Sequence, residues 1–275
     1  MKQNEYTKET ITLSHASIYC EYILNGKPPV LLIHGFVSST YTYNRLIPLL
    51  EKSFSVIAID LPGFGRSEKS RTFIYSYHNY ASLVAECMDY FKLKDVTLIG
   101  HSMGGQIALY TAEKIPDKIN KLILLSSSGY LKRANKWLIY SSYLPFFDLI
   151  AKRHVLKQSV EETLKNVLYD PSLITNELKA EYGRPLKDKN FYKALVRFLR
   201  HREGDLSSEQ LQKIQTSSLL IWGENDRVVP LSIGKRLEKE LPNATLISYE
   251  KTGHLITEER PFELYKQIYN FANGE

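Results

Sequence analysis

The sequence predicts an α/β fold, with eight strands in a mostly parallel sheet flanked by helices and a helical segment inserted after the sixth strand. Three observations carry this expectation. Short apolar, β-branched runs recur along the chain and alternate with helical patterns, as a parallel sheet buried on both faces requires. One of those runs passes through a tight, glycine-containing turn straight into a helical pattern, Val96-Thr-Leu-Ile-Gly100-His-Ser102-Met-Gly104-Gly105. A third stretch, residues 129–211, abandons strands for aromatic and amphipathic helical patterns.

Residues 10–14 and 18–24 alternate apolar and polar side chains and predict an antiparallel strand pair, with turns near residues 15–17 and at Asn25-Gly26. Residues 30–33, 55–59, 96–99 and 121–125 predict the next four strands, and residues 218–222 and 245–249 the last two. The helical pattern after Gly105 stops before Pro116. The chain thus divides into a core, residues 1–128 and 212–275, and the inserted segment 129–211. An insertion between two parallel strands emerges at their carboxyl ends, the edge where open α/β sheets bind ligands, so it is expected to form a cap over the site. Its aromatics, Trp137, Tyr140, Tyr143, Phe146 and Phe147, either line that site or fasten the cap to the core; both readings stand at this level.

Composition excludes several classes. At 275 residues, with 43% hydrophobic and 24% charged side chains, the chain can bury a substantial core and has the make-up of a soluble enzyme. Cys20 and Cys87 fall in apolar patterns and read as core residues, not a disulfide framework. No apolar run approaches the about 18 residues of a membrane helix, and the first 25 residues hold no signal-peptide-like stretch, so a cytoplasmic location with no membrane span is expected. The net charge of +6 sits mostly in the insertion, where 15 Lys and Arg face 10 Asp and Glu, a difference of +5. These charges fall at helical spacings among acids and read as a solvated face, with attraction of anionic substrates or acidic surfaces as the second reading; nucleic acid is not an expected partner. No metal-ligand spacing and no phosphate- or dinucleotide-binding signature appears, so neither metal nor cofactor is expected.

The chemistry centres on Ser102. A serine at the tip of a sharp strand-to-helix turn is held in a strained conformation that exposes its hydroxyl, and Gly100 and Gly104 keep the crowded chain free of Cβ atoms. The following helix N-terminus favours a developing anion. A serine hydroxyl still needs a base, usually a histidine oriented by a carboxylate. His254, in a Gly-flanked loop after the last strand, and Asp226, in the loop after the strand before, are the candidates, and the order Ser102, Asp226, His254 differs from that of the two large serine-protease classes. Asp60 and Glu224 are rival carboxylates, Asp60 reading as part of a structural Asp-X-Pro-Gly turn. His34 reads as a brace for the loop after its strand, and His101 is expected to face away from Ser102. His15, His78, His154 and His201 read as solvated surface.

From Pro28 onward the chain resembles the α/β-hydrolase fold family, and within it the cofactor-free capped carboxylesterases and meta-cleavage-product (carbon-carbon bond) hydrolases. Val30-Leu-Leu-Ile-His34-Gly35-Phe36 is similar to the family's strand ending in His-Gly-X, and the 57–67 segment to the turn after the next strand. The resemblance implies an oxyanion hole built from the backbone N–H groups of Phe36 and Met103. It implies that Ser102, Asp226 and His254 form a triad hydrolysing a small-molecule ester of a small to medium, largely apolar acyl group through an acyl-enzyme. Trp137, Tyr140, Tyr143, Phe146, Phe147, Val228 and Leu255 are the residues expected to bind that substrate. Carbon-carbon bond hydrolysis of ring-cleavage products is the alternative; that group carries Asn and Trp where this chain has His101 and Leu255. Dehalogenases and epoxide hydrolases of the same fold place an aspartate at Ser102 and are rejected. A slow-turnover ligand receptor on the same scaffold is a third reading, and the oligomeric state is left open.

Overall fold

In the computed structural model, which describes residues 6–274, the first half of the chain builds most of a sheet. In chain order it runs β1 (Thr7–Thr12), β2 (Ser17–Ile23), β3 (Pro29–Ile33), α1 (Ile47–Leu50), β4 (Ser55–Ile59), α2 (Tyr77–Tyr90), β5 (Val96–His101), α3 (Met103–Lys114) and β6 (Ile119–Leu125). Helices α4 (Lys136–Ser141), α5 (Phe147–Val155), α6 (Val160–Val167), α7 (Asn176–Gly183), α8 (Lys189–His201) and α9 (Ser208–Leu211) follow without a strand. The sheet then resumes with β7 (Ser218–Gly223), α10 (Leu231–Glu240) and β8 (Ala244–Tyr249), and the chain closes with α11 (Ile256–Glu259) and α12 (Pro261–Asn273).

The eight strands form one sheet in the order β1-β2-β4-β3-β5-β6-β7-β8, antiparallel where β2 meets β1 and β4 and parallel elsewhere. The predicted fold class is the observed one. Consecutive residues on a strand enter opposite cores: Leu31 and Ile33 pack with α2 and α3 on one face, Val30 and Leu32 with α1 and α12 on the other. That two-sided burial explains why these strands read as unbroken apolar runs. The first strand lies earlier than predicted. Its register pairs Ile11 with Ile18 and Thr12 with Ser17, so the reversal consumes Leu13 to Ala16, and the Ser14 amide turns out to the Glu86 carboxylate.

The inserted helices are fixed to the core at several places, with Phe191, Ala194, Leu195 and Phe198 of α8 packed into the main core. The chain leaves and returns at Leu131 and Asp205, which exchange backbone and carboxylate hydrogen bonds. Farther on, Leu164, Leu168 and Leu178 form a small core with Leu255. Cys20 and Cys87 are free and buried in the main core. Among the described residues no helix is long and apolar enough to cross a membrane.

Candidate active site

Four loops at the carboxyl ends of β3, β5, β7 and β8 converge. Ser102 sits between β5 and α3 at φ 53°, ψ −119°, a backbone conformation that costs a non-glycine residue about 1–3 kcal/mol and persists only where its surroundings over-determine it. They do so here. A Cβ on Gly100 would fall 2.3 Å from the Gly104 carbonyl oxygen, and one on Gly104 would fall 2.1 Å from that of Ile33. The Ser102 N–H donates to the Leu125 carbonyl, and its own carbonyl accepts from Gly105 and Ser128. Met103 opens α3, so its N–H has no intrahelical acceptor.

The turn after β3 lies against this elbow: a Cβ on Gly35 would be 3.1 Å from the Ser102 Cβ. His34 is fully buried, and burial pulls its pKa down, keeping it neutral. Its Nε2 accepts the Leu61 N–H at 3.0 Å, so Nδ1 carries the proton and donates to the Gly35 carbonyl at 2.7 Å. That carbonyl and the Phe36 N–H belong to one planar peptide, so pinning the oxygen fixes where the Phe36 N–H points.

Asp226 and His254 come from adjoining loops that touch because Gly223 has no side chain; a Cβ there would lie 2.3 Å from the Gly253 carbonyl oxygen. Asp226 Oδ1 accepts the N–H groups of Val228 and Val229, each at 2.8 Å, leaving Oδ2 for His254 Nδ1 at 2.7 Å. Buried Trp222 donates its Nε1–H to the Val229 carbonyl and anchors the same loop. With Nδ1 committed to Asp226, the free edge of the imidazole is Nε2. The His254 backbone is held from the insertion, its N–H donating to the Val167 carbonyl at 2.7 Å. Among the described residues no hydrogen bond joins Ser102 Oγ to His254, although both border one cavity; such contacts commonly close only when substrate is bound.

His101 departs from expectation. It does not point away from the site: its Nε2 bonds the His254 carbonyl at 2.9 Å and its ring lies 4.8 Å from that of His254. Burial, reinforced by His254, pushes its pKa down to about 3, so it packs there as a neutral ring. Asp60 is buried and spends its two carboxylate oxygens on the N–H groups of Thr40 and Arg66, and Glu224 bonds Ser248. His15, His78 and His154 are exposed and His201 is half-buried.

Two apolar cavities meet at Ser102, and Phe36, half exposed, borders both. One, of about 310 Å³, is walled by His254 and Leu255 and by Val160, Leu164, Val167 and Tyr182 of the insertion. The other, of about 430 Å³, is walled by Met103, Tyr77, Phe198, Val228 and Ile233. Leu255 and Val228 therefore lie where expected. Trp137, Tyr140, Tyr143, Phe146 and Phe147 do not: none borders either cavity, and Trp137 is 79% exposed. The correction has a physical reason. Helix α4 and the aromatic start of α5 lie outside α8, with Tyr143 under the Arg200 guanidinium, whereas the wall is made mainly by α6 and α7, with Val155 at the far end of α5. The missed residues carried a signal: Val160, Leu164 and Val167 recur at helical spacing behind a Ser159–Glu162 capping box. Among the described residues no group of three or more His, Cys, Asp or Glu could hold a metal ion.

Residues 28–261 match the sequence profile of a family described as the alpha/beta hydrolase fold. A Bacillus subtilis (strain 168) protein named uncharacterized hydrolase YugF is 48% identical over 261 residues, covering 94% of this chain and 96% of its own. A 2-hydroxy-6-oxo-2,4-heptadienoate hydrolase of Pseudomonas putida is 24% identical, covering 90% of each chain. Among solved structures, a membrane phospholipase A described as a bacterial virulence factor superposes with a TM-score of 0.81 at 26% identity, covering 98% of this chain and 86% of its own.

Proposed function

The chain belongs to the alpha/beta hydrolase fold family and is a hydrolase, and on that premise we propose that it is a serine hydrolase cleaving carboxylic esters with small to medium apolar acyl groups. The observation that carries the reading is the Asp226–His254 pair, fixed through Nδ1 with Nε2 free, beside a serine on a strained elbow that opens on two apolar cavities. Ser102 Oγ attacks the acyl carbon while His254 takes its proton. The oxyanion is received by the N–H groups of Phe36 and Met103, the first oriented through His34. His254 then gives the proton to the leaving oxygen, and a water activated by the same imidazole releases the acid. No step calls for a cofactor.

That sequence assigns the two cavities. The leaving oxygen must reach His254, so the alcohol lies in the cavity His254 borders, between core and insertion; the acyl chain lies in the other, against Met103 and Val228. Residues 129–211 act as a cap, since α6 and α7 wall the alcohol side.

The 24%-identical relative that hydrolyses a hydroxy-oxo-dienoate supports carbon-carbon bond cleavage as the second reading. One experiment separates the two: turnover of p-nitrophenyl esters of increasing acyl length beside a vinylogous 1,5-diketone acid. Ester turnover above that of the diketone is expected. Diketone cleavage with negligible ester turnover overturns the first reading, and no turnover with tight binding of one ligand would make the scaffold a receptor.

A further inference from the structure

Except for half-buried Phe147, the aromatics that do not line the site face outward; the segment from Trp137 to Leu156 holds nine of the 17 exposed large hydrophobic side chains among the described residues. Along α4, α5 and the turn between them, Trp137, Phe146, Tyr140 and Leu144 are 79%, 73%, 66% and 65% exposed, and Leu149 and Ile150 continue the face along α5. A contiguous exposed apolar area of this kind on a globular protein marks a contact surface. Its inward side is already satisfied. Ile139 is buried, Phe147 and Val155 are half-buried, and Arg200 ties the α4–α5 corner through the Ser142 hydroxyl and carbonyl. The outward side chains are therefore presented on a braced element and not collapsed onto the body.

Charge identifies the occupant. Between residues 130 and 157 the cations are Lys132, Arg133, Lys136, Lys152, Arg153 and Lys157, and the sole acid is Asp148. Short helices with Trp, Tyr, Phe and Leu outward and lysines and arginines flanking them suit the boundary of an anionic bilayer. There the apolar rings enter the acyl region and the cations meet headgroups. The face also adjoins both cavities: Val155 at the end of α5 borders the one beside His254, and Leu131 borders the one beside Met103.

We propose that the α4–α5 face docks on the surface of an anionic lipid bilayer, setting both cavities of the Ser102 site beside the lipid phase. The proposal stands apart from the ester reading, because it concerns where the protein sits and not which bond it cuts.

The chain supplies its own reporter. It has two tryptophans, and Trp222 is fully buried with its Nε1–H bonded to Val229, so a change of emission on adding lipid reports Trp137. With phosphatidylglycerol-containing vesicles the full chain should co-sediment and its emission shift to the blue. Pure phosphatidylcholine vesicles should capture much less, and added salt should release the protein. Neutralising the exposed Lys132, Arg133 and Lys136 one at a time to Gln should weaken vesicle partitioning by about fivefold each. Phe146→Ser with Leu149→Ser should abolish the shift without lowering Tm. Trp137→Phe should still sediment but lose the shift; a shift that survives it comes from Trp222 and overturns the placement. The proposal also falls if the protein stays in the supernatant with anionic vesicles at low salt. It falls equally if the face instead buries a second copy, seen as a lipid-independent dimer that Trp137→Ser dissociates.

Discussion

The sheet-borne loops and the inserted helices build the same site under different constraints. At the elbow, backbone approaches backbone so closely that Gly100, Gly104 and Gly223 each exclude any side chain, and one deep hydrogen bond from His34 sets the Phe36 peptide. In the insertion, such an approach occurs where the end of α6 meets Gly253, a Cβ on which would fall 2.7 Å from the Val167 carbonyl oxygen, and the other inserted helices meet the core mainly through side chains. The wall beside His254 is a matter of which apolar stripe finds Leu255, and there α6 and α7 supply most of it, α5 only Val155 at its end, and α4 nothing. Obligatory close contacts leave marks on a sequence that optional packing does not.

The contrast breaks first if the elbow and its base are not the reacting groups. Ser102→Ala and His254→Ala should each lower ester turnover roughly 10⁴- to 10⁶-fold, with the double variant scarcely worse, because such residues act as a unit. Asp226→Asn should lose somewhat less. Asp60→Asn should act on stability, since its two oxygens hold the Thr40 and Arg66 amides. Steady-state kinetics with melting temperatures decide this; a folded, inactive Asp60→Asn beside an active Asp226→Asn would reverse the carboxylate assignment.

This difference also explains what could be read in advance. The central strands β3 to β7 were legible because burial on both faces makes them largely apolar runs, while β1 and β2 were read from alternation; only the start of the sheet slipped, where exposed β1 has a single paired side and its register is set by the turn. Ser102, Asp226 and His254 could be named because each follows a strand and sits among glycines with a steric reason to be there. His101 was misjudged because alternation along β5 says nothing of the 153-residue return of the chain that lays His254 across it. The aromatics of α4 and α5 were misplaced because hydrophobicity marks a contact surface without saying what it contacts.

A second prediction probes the seam between the two regions. Glu258 on α11 is buried, its backbone carbonyl held by Arg45, and one of its carboxylate oxygens lacks a partner. Burial, with Glu177 of α7 adding to it against Arg45, pushes its pKa up to about 7. Below its unfolded value near 4.5 both states hold the proton and it contributes nothing to pH dependence. Between there and about 7 the unfolded chain ionises first, so stability falls as pH rises, by at most about 3 kcal/mol, and then levels off. Asp205, pushed up to about 6 by burial, adds the same sign and is common to both proteins compared. Relative to the parent, Glu258→Gln should therefore gain Tm steadily from pH 4.5 to pH 7 and no further. A difference in Tm that is flat with pH would mean that Glu258 is ionised in the folded protein throughout.

The smallest effect sharpens the comparison most, because it assigns the two walls separately. The acyl-enzyme keeps the acid half of the substrate and has lost the alcohol, so a change in the acyl wall must alter deacylation while a change in the alcohol wall cannot. Ile233→Phe narrows the cavity beside Met103 and should depress deacylation of octanoyl relative to acetyl esters about tenfold, whatever the alcohol. Thr163→Phe, on the exposed side of α6 at the rim of the other cavity, should instead lower kcat/KM for esters of bulky alcohols by a similar factor and leave the deacylation rate of a given acyl group untouched. Trp137→Ala, bordering neither cavity, should move neither ratio for soluble esters. Burst kinetics separate acylation from deacylation in each variant. If Thr163→Phe alters deacylation and Ile233→Phe does not, the acyl chain lies under the insertion, and the proton from His254 reaches a leaving group on the opposite side from the one its cavity suggests.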